Sequence, residues 1–330
     1  MINMQWIVDL FEGAQDGLFE MAVQPILYSF GLGSFLEDGY RATGWLLVGL
    51  IQIVALLAII GPLQRWRPVE DRRDPAAVRT DVLYTLLHRL GIFRVALFFS
   101  VEPLFDQIFG WLRVLGIGTV HIDQLMLGAS LHPVVSAAIY LVVFDFFDYW
   151  IHRGQHAFNW WWNLHSLHHS QRHLTMWSDN RNHLLDDLIR DSLMVIVGQL
   201  IGVGPGQFVV IVAITQLSES LQHANVRMHF GMLGERLWIS PRFHRLHHSI
   251  GVGHETSADG QLLEYGRSPA LGGHNFGVLL PWWDMIFGTA SFQARYDPTG
   301  IRDQVERGRE YGRGFFAQQW LGLLRLVGRA

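Results

Sequence analysis

The chain has no cysteine in its 330 residues, and that absence removes a series of chemistries. Disulfides, thiolate-ligated haem, cysteine-held iron–sulfur clusters, cysteine zinc sites and cysteine nucleophiles are all excluded. Any metal must be held by nitrogen and oxygen. Lysine is absent too: all 25 cations are arginines, so Schiff-base chemistry and a P-loop lysine are ruled out. Charged residues make up 16%, below the roughly 25% of an ordinary globular chain, while hydrophobic residues reach 50% and mean hydropathy is positive. This is the composition of a chain embedded in a membrane. A net charge of −4 leaves no basic excess to grip a nucleic-acid backbone, so nucleic acid is not an expected partner.

Residues 45–63 carry no charge over 19 positions, enough to cross a hydrocarbon core of about 30 Å. Asp9, Glu12, Asp16, Glu20, Glu37 and Asp38 precede this run, and Arg65, Arg67, Arg72, Arg73 and Arg79 follow it, which predicts the arginine side in the cytoplasm. The first 44 residues lack the features of a secretory signal and read as an amphipathic or interfacial segment. Residues 83–109 are apolar but broken by His88, Arg89, Arg94, Glu102 and Asp106, which predicts a shallow or partly buried membrane helix. A second long run covers 125–144. Runs at 193–203 and 208–217 are each short for a crossing and are joined by Gly202 to Gly206, which predicts a hairpin that dips into the bilayer or spans it tightly. Residues 315–327 mix arginine with apolar residues, as interfacial helices do. The expected fold is therefore all-α, an integral membrane helical protein. Anchoring helices cover 1–124, a histidine-bearing catalytic region 125–290 and an interfacial tail 291–330.

Of 17 histidines, seven lie between His152 and His183 and six between His223 and His254, with the apolar hairpin between the clusters. His152 and His156 are spaced i, i+4. His165, His168 and His169 are spaced i, i+3, i+4, and His244, His247 and His248 repeat that pattern. On a helix such offsets share a face and can converge on a cation. A repeated ligand set suggests two metals or two halves of one binuclear site. His88, His121 and His132 stand alone and read as structural. Imidazole suits zinc, copper, iron and nickel, and so many nitrogens without thiolate exceed the needs of one tetrahedral zinc.

These residues resemble the fatty acid hydroxylase and sterol desaturase superfamily of membrane di-iron enzymes. Its three histidine boxes are similar to His152–His156, His165–His169 and His244–His248. The flanks 148–153, 222–225 and 240–243 resemble its surrounding elements, as do Asn275-Phe276-Gly277 and 283–289. The resemblance implies two non-haem iron ions, dioxygen as co-substrate and an external electron donor, a separate electron-transfer protein or reductase. It adds His183 and His223 to the candidate ligands and Asn275 to the cofactor surroundings. Arg181-Asn182-His183-Leu184-Leu185-Asp186 departs from the family's R-x-H-P-L-E by losing the proline and shortening the acid. His173, His229 and His254 have no counterpart and read as structural or supporting, with His229 a reserve ligand.

Asp148, one turn before His152, is the candidate to orient that imidazole. Trp160, Trp161 and Trp162 read as an interfacial aromatic belt in preference to the lining of a lipid channel. The implied reaction is hydroxylation of a C–H bond of a membrane lipid, fatty acyl, sterol or head group, at a metal site on the cytoplasmic membrane face; desaturation with the same site is the alternative. The setting is the inner or plasma membrane of a bacterium or the endoplasmic reticulum of a eukaryote. A zinc-dependent membrane hydrolase, a metal transporter and a membrane cytochrome are the competing classes.

Overall fold

The computed structural model describes residues 5–71, 74–122, 125, 132–250 and 273–330. Helices dominate them, and no strand occurs among the described residues beyond one isolated bridge between Ser249 and Thr299. Short helices α1 (Gln5–Leu18) and α2 (Gln24–Ser29) lead into α3 (Leu36–Ala55), which runs on through a π turn into α4 (Gly61–Trp66). The continuous helical stretch Gly33–Trp66 and the later helix Pro133–Ala157 are the two, among the described residues, long and apolar enough to cross a membrane. The first contains the charge-free run at 45–63. Exposed Trp6, Leu10, Met21, Ile26 and Phe30 give α1 and α2 apolar outer surfaces.

The region expected as one shallow helix at 83–109 is instead three: α5 (Pro75–Arg89), α6 (Ile92–Ser100) and α7 (Glu102–Val114). Gly91 breaks the first junction with φ of 77°, a conformation that excludes most side chains, and Pro103 sits in the first turn of α7. Of the charged and polar residues in this stretch, His88 and Arg89 face inward. Arg89 is buried and donates to Gln52, to the Gln216 carbonyl, to Ser220 and, at 2.8 Å, to Asp179. Both terminal nitrogens of this buried guanidinium are thereby satisfied, as burial of a charge requires. Gly49 lets α3 come this close, because a Cβ there would lie 1.6 Å from the Arg89 carbonyl oxygen.

Four elements carry the site. Helix α8 (Pro133–Ala157) starts at Pro133 with the His132 ring accepting from the Val134 amide, so the lone His132 is a cap. Helix α9 (Asn159–His169) follows after one residue. Helices α10 (Leu184–Ile201) and α11 (Pro205–His223) form the hairpin, turning at Gly202 with φ of 69°. At 18 and 19 residues they are longer than their apolar runs predict. Polar first and last turns, with Asp186, Asp187, Ser220 and Gln222 buried, extend both helices toward the histidines. At the far end the Val120 amide donates to the Leu200 carbonyl, Gln207 to Ser136, and Tyr140 to the Gly202 carbonyl. An apolar core of Tyr140, Phe144, Val197, Ile201 and Ile211 fills this half. Helix α12 (Pro241–His247) is capped by the Ser240 hydroxyl, and α13 (Trp282–Ile286) and α14 (Phe315–Leu326) follow. Helix α14 exposes Phe316 and Trp320 and buries Gln318 and Arg325, the latter bonded to the Asn163 carbonyl of α9.

Candidate metal centre

The last turns of α8, α9, α11 and α12 converge on one buried volume, bringing together two groups of four histidines. His152, His156, His169 and His247 form the first, and His168, His223, His244 and His248 the second; within each, one ring nitrogen per residue lies within 4.8 Å of the others. Every one of the eight is buried. Each adjacent pair is divided between groups. His168 and His169 occupy neighbouring positions on α9, so their side chains leave the helix about 100° apart. His247 and His248 divide in the same way at the end of α12. The groups adjoin, with the rings of His169 and His248 stacked at 4.3 Å.

In the second group, Nε2 of His223 lies 3.1 Å from Nε2 of both His168 and His244, and Nε2 of His248 lies 3.1 Å from that of His244. Nitrogens about 2.0–2.1 Å from a common metal ion would be separated by about 3.0–3.4 Å, so these contacts match the edges of a coordination polyhedron. Burial, reinforced by the neighbouring imidazoles, pushes His168, His244 and His248 well below the usual histidine value. They stand neutral, the form in which imidazole binds metal. Opposite ring nitrogens are fixed by main-chain carbonyls 2.8 Å away: His152 by Phe276, His247 by His274 and His223 by Glu219. That bond protonates Nδ1 and turns the Nε2 lone pair inward.

Several acids to which the sequence assigned no such role hold this arrangement. Asp284 accepts from the Phe276 and Gly277 amides, both at 2.8 Å, and from the Thr289 hydroxyl. Burial pushes its carboxyl up to about 7, against those hydrogen bonds. Asp145 accepts from the Leu279 and Leu280 amides and the Trp283 indole, tying α8 to the same segment. Asp186 collects Gln155, Trp161 and His165. The available signal was an acid inside an apolar run, which Asp145 supplied.

Other candidates fall elsewhere. His165 stands beside both groups, its ring 5.1 Å from those of His156 and His169 in the first and 5.3 Å from that of His168 in the second, but belongs to neither; Asp186 holds its Nδ1 at 3.0 Å. His183 caps α10, accepting from the Leu185 amide, while its Nε2 bonds to the Gln319 carbonyl. Both nitrogens are engaged away from the groups, with α14 pressed against the ring at Gly322. Asp148 does not orient His152: it pairs with Arg190 at 2.9 Å, and the Phe276 carbonyl takes the role expected of it. Asn275, with φ of 60°, spends its amide on the Phe243 and Ser291 carbonyls and the Ser291 amide, shaping the loop whose next residue is Phe276. Trp161 and Trp162 turn inward, Trp162 packing on His156 and His169, and only Trp160 is exposed. His229 is exposed and accepts from the Gly231 amide, His173 meets Glu70, His88 meets Asp187, and His121 abuts Gly202. His254 lies outside the described residues.

A small cavity beside the second group is lined by His168, His223, His244, Arg190 and Glu219. Arg190 and Glu219 also line a cavity of about 110 Å³ between α8, α10 and α11. Arg94, Val195 and Phe208 belong both to that cavity and to a larger one of about 510 Å³ against α3.

Among the described residues the architecture is helical, and its helix ends gather two adjoining four-histidine groups that could each hold a metal ion. Residues 137–289 match the family described as fatty acid hydroxylase. The match covers just under half of the chain, including both four-histidine groups, so the chain is similar to this family over that region, and it is an oxidoreductase. It is 27% identical over 271 residues to an ornithine lipid hydroxylase of Rhizobium tropici, covering 80% of this chain and 73% of that protein. It is 26% identical over 157 residues to an alkylglycerol monooxygenase of Caenorhabditis elegans, covering 47% of this chain and 26% of that protein. No solved structure shows a significant match.

Proposed function

We propose that the protein hydroxylates a C–H bond of a membrane lipid with dioxygen, using two iron ions held by the eight grouped histidines. The observation that carries this reading is the pair of adjoining, buried four-nitrogen groups in a chain similar to this family. Bound there, the irons would supply dioxygen activation, with two electrons from a separate donor protein or reductase. The chain's own residues supply position. The Phe276, His274 and Glu219 carbonyls fix three rings, Asp284 fixes Phe276, and the burial of all eight histidines limits contact with bulk water. His165, steadied by Asp186, stands in reserve beside both groups.

The two apolar helices support a membrane location, and the arginines after Trp66 favour a cytoplasmic histidine end. Lipid could then enter sideways through the cavities between α3, α8, α10 and α11 without leaving the bilayer. Hydroxylation is preferred to desaturation because both relatives bear hydroxylase or monooxygenase names. The test combines elemental analysis of purified protein with isotopically labelled dioxygen and lipid mass spectrometry. Iron and one labelled oxygen atom in the lipid are expected. An unlabelled olefin would mean desaturation, and zinc without oxygen uptake would mean a hydrolase.

A further inference from the structure

The two cavities that lead away from the histidines differ sharply in chemistry. The larger is lined by apolar side chains such as Leu27, Leu46, Val95, Val195 and Val209, and its volume of about 510 Å³ lies within the usual range for a bound small molecule. The neck between it and the histidines contains Asp148, Asp191 and Glu219 against Arg94 and Arg190. Asp179 and Asp187 add two carboxylates at its inner end without another arginine. Those two are already engaged, Asp179 by Arg89 at 2.8 Å and Asp187 by His88 at 3.3 Å. Arg190 is drawn to Asp148 at 2.9 Å and reaches Glu219 only at 3.9 Å, while Arg94 lies over the Trp45 ring at 3.7 Å. Glu219 and Asp191 are thus acids on the passage with incomplete direct countercharge. The Glu219 side chain is 24% exposed, consistent with an opening onto the cavity.

We infer that the protein selects a lipid whose polar head carries a positive charge, held by Glu219 and Asp191 in the neck, with its hydrocarbon chains in the apolar cavity. A carboxylate in a narrow, low-dielectric passage favours a cation and repels an anionic head far more strongly than it would in water. Seated in this way, the lipid presents its head, or the junction of head and chain, to the histidines, and its chain ends lie farthest from them. The rival explanation is that these acids serve only to offset the charge of ions bound by the eight imidazoles. The inference rests on the oxygenase reading of the site, but binding can be measured without turnover.

Photo-crosslinking in lipid nanodiscs provides the test, using three lipids with the same diazirine-bearing chain and different heads. One head is an amino-acid amide with a free ammonium, one is neutral glycerol and one is anionic phosphoglycerol. The expected result is capture of the ammonium lipid at peptides containing Leu46, Val95 or Val209, about tenfold above the other two, a factor corresponding to about 1.4 kcal/mol. Glu219→Gln should reduce that capture to the level of the neutral lipid with iron content unchanged. Asp191→Asn gives the same reading if the first variant fails to fold. Equal capture of all three heads overturns the inference, as does a variant that loses iron while keeping its preference for the ammonium lipid. Oxygen incorporation measured on the same samples separates the two readings. Selective capture without incorporation refutes the oxygenase, and incorporation without selectivity refutes the head preference.

Discussion

The carbonyl oxygen of Phe276 lies 2.8 Å from Nδ1 of His152, 124 residues earlier in the chain, and Phe276 is itself held by the Asp284 carboxylate through its amide. A histidine of the first group is therefore aimed by a loop that an acid on α13 keeps in shape. Asp284→Asn keeps the size but can no longer accept at both oxygens. Weakening of metal affinity by about 10- to 100-fold is expected, the usual effect of removing an outer hydrogen bond from a ligand histidine. Competition with a chelator, followed by elemental analysis, measures it; unchanged retention would show that Phe276 holds its position without Asp284.

Because His247 belongs to the first group and His168 to the second, single alanine substitutions should separate the two sites. Each is expected to lower the metal content from about two ions per chain toward about one, and both should abolish turnover. His183→Ala is expected to differ. Its ring caps α10 and bonds to Gln319, so the cost is about 1 kcal/mol of stability, with the metal content kept. Loss of metal in the His183 variant would restore that residue to the ligand set.

How much of this was legible depends on whether the information was local. The spacing of His165, His168 and His169, and of His244, His247 and His248, is a property of single helices, and the two clusters could be found by counting. The repeat suggested two metals, and the structure gathers two groups. Their partition was not legible, because one-face reasoning treats each triplet as a unit while the adjacent pairs His168/His169 and His247/His248 diverge to opposite groups. Ring partners were hidden for a different reason. Asp148 was the sequence neighbour of His152, but long-range packing brought the Phe276 carbonyl to the ring and left Asp148 to Arg190. His274 escaped notice because its contribution to His247 is a main-chain carbonyl, which any residue could provide.

Asp186 gathers three buried donors, Gln155 at 2.8 Å, Trp161 at 2.7 Å and His165 at 3.0 Å. Asp186→Ala leaves all three without their acceptor and should destabilise the fold by about 3 kcal/mol or more. Denaturant unfolding of detergent-solubilised protein against the native chain measures the loss. A variant within about 0.5 kcal/mol of native, the range of an innocuous surface change, would show that the cluster rearranges around other acceptors.

The last prediction concerns sidedness. Acidic residues precede the charge-free run at 45–63 and arginines follow it, which predicts a cytoplasmic histidine end. Helices α10 and α11 leave that end and return to it, since His183 and His223 mark their near ends and the turn at Gly202–Gly206 their far one. Single cysteines can be introduced cleanly into a chain that has none. Positions beside the boxes such as Ser170 and Ser249 are buried and would resist labelling, whereas Arg172 and Met232 are exposed close to the same elements. Arg172→Cys and Met232→Cys should react with a membrane-impermeant maleimide only when the cytoplasmic face is open to it. Gly206→Cys, exposed in the far turn, should not react from that face. Reaction of the first two from opposite sides would falsify a shared histidine face. Reaction of both from the outer side alone would keep that shared face and invert the orientation, moving the electron donor to the other compartment.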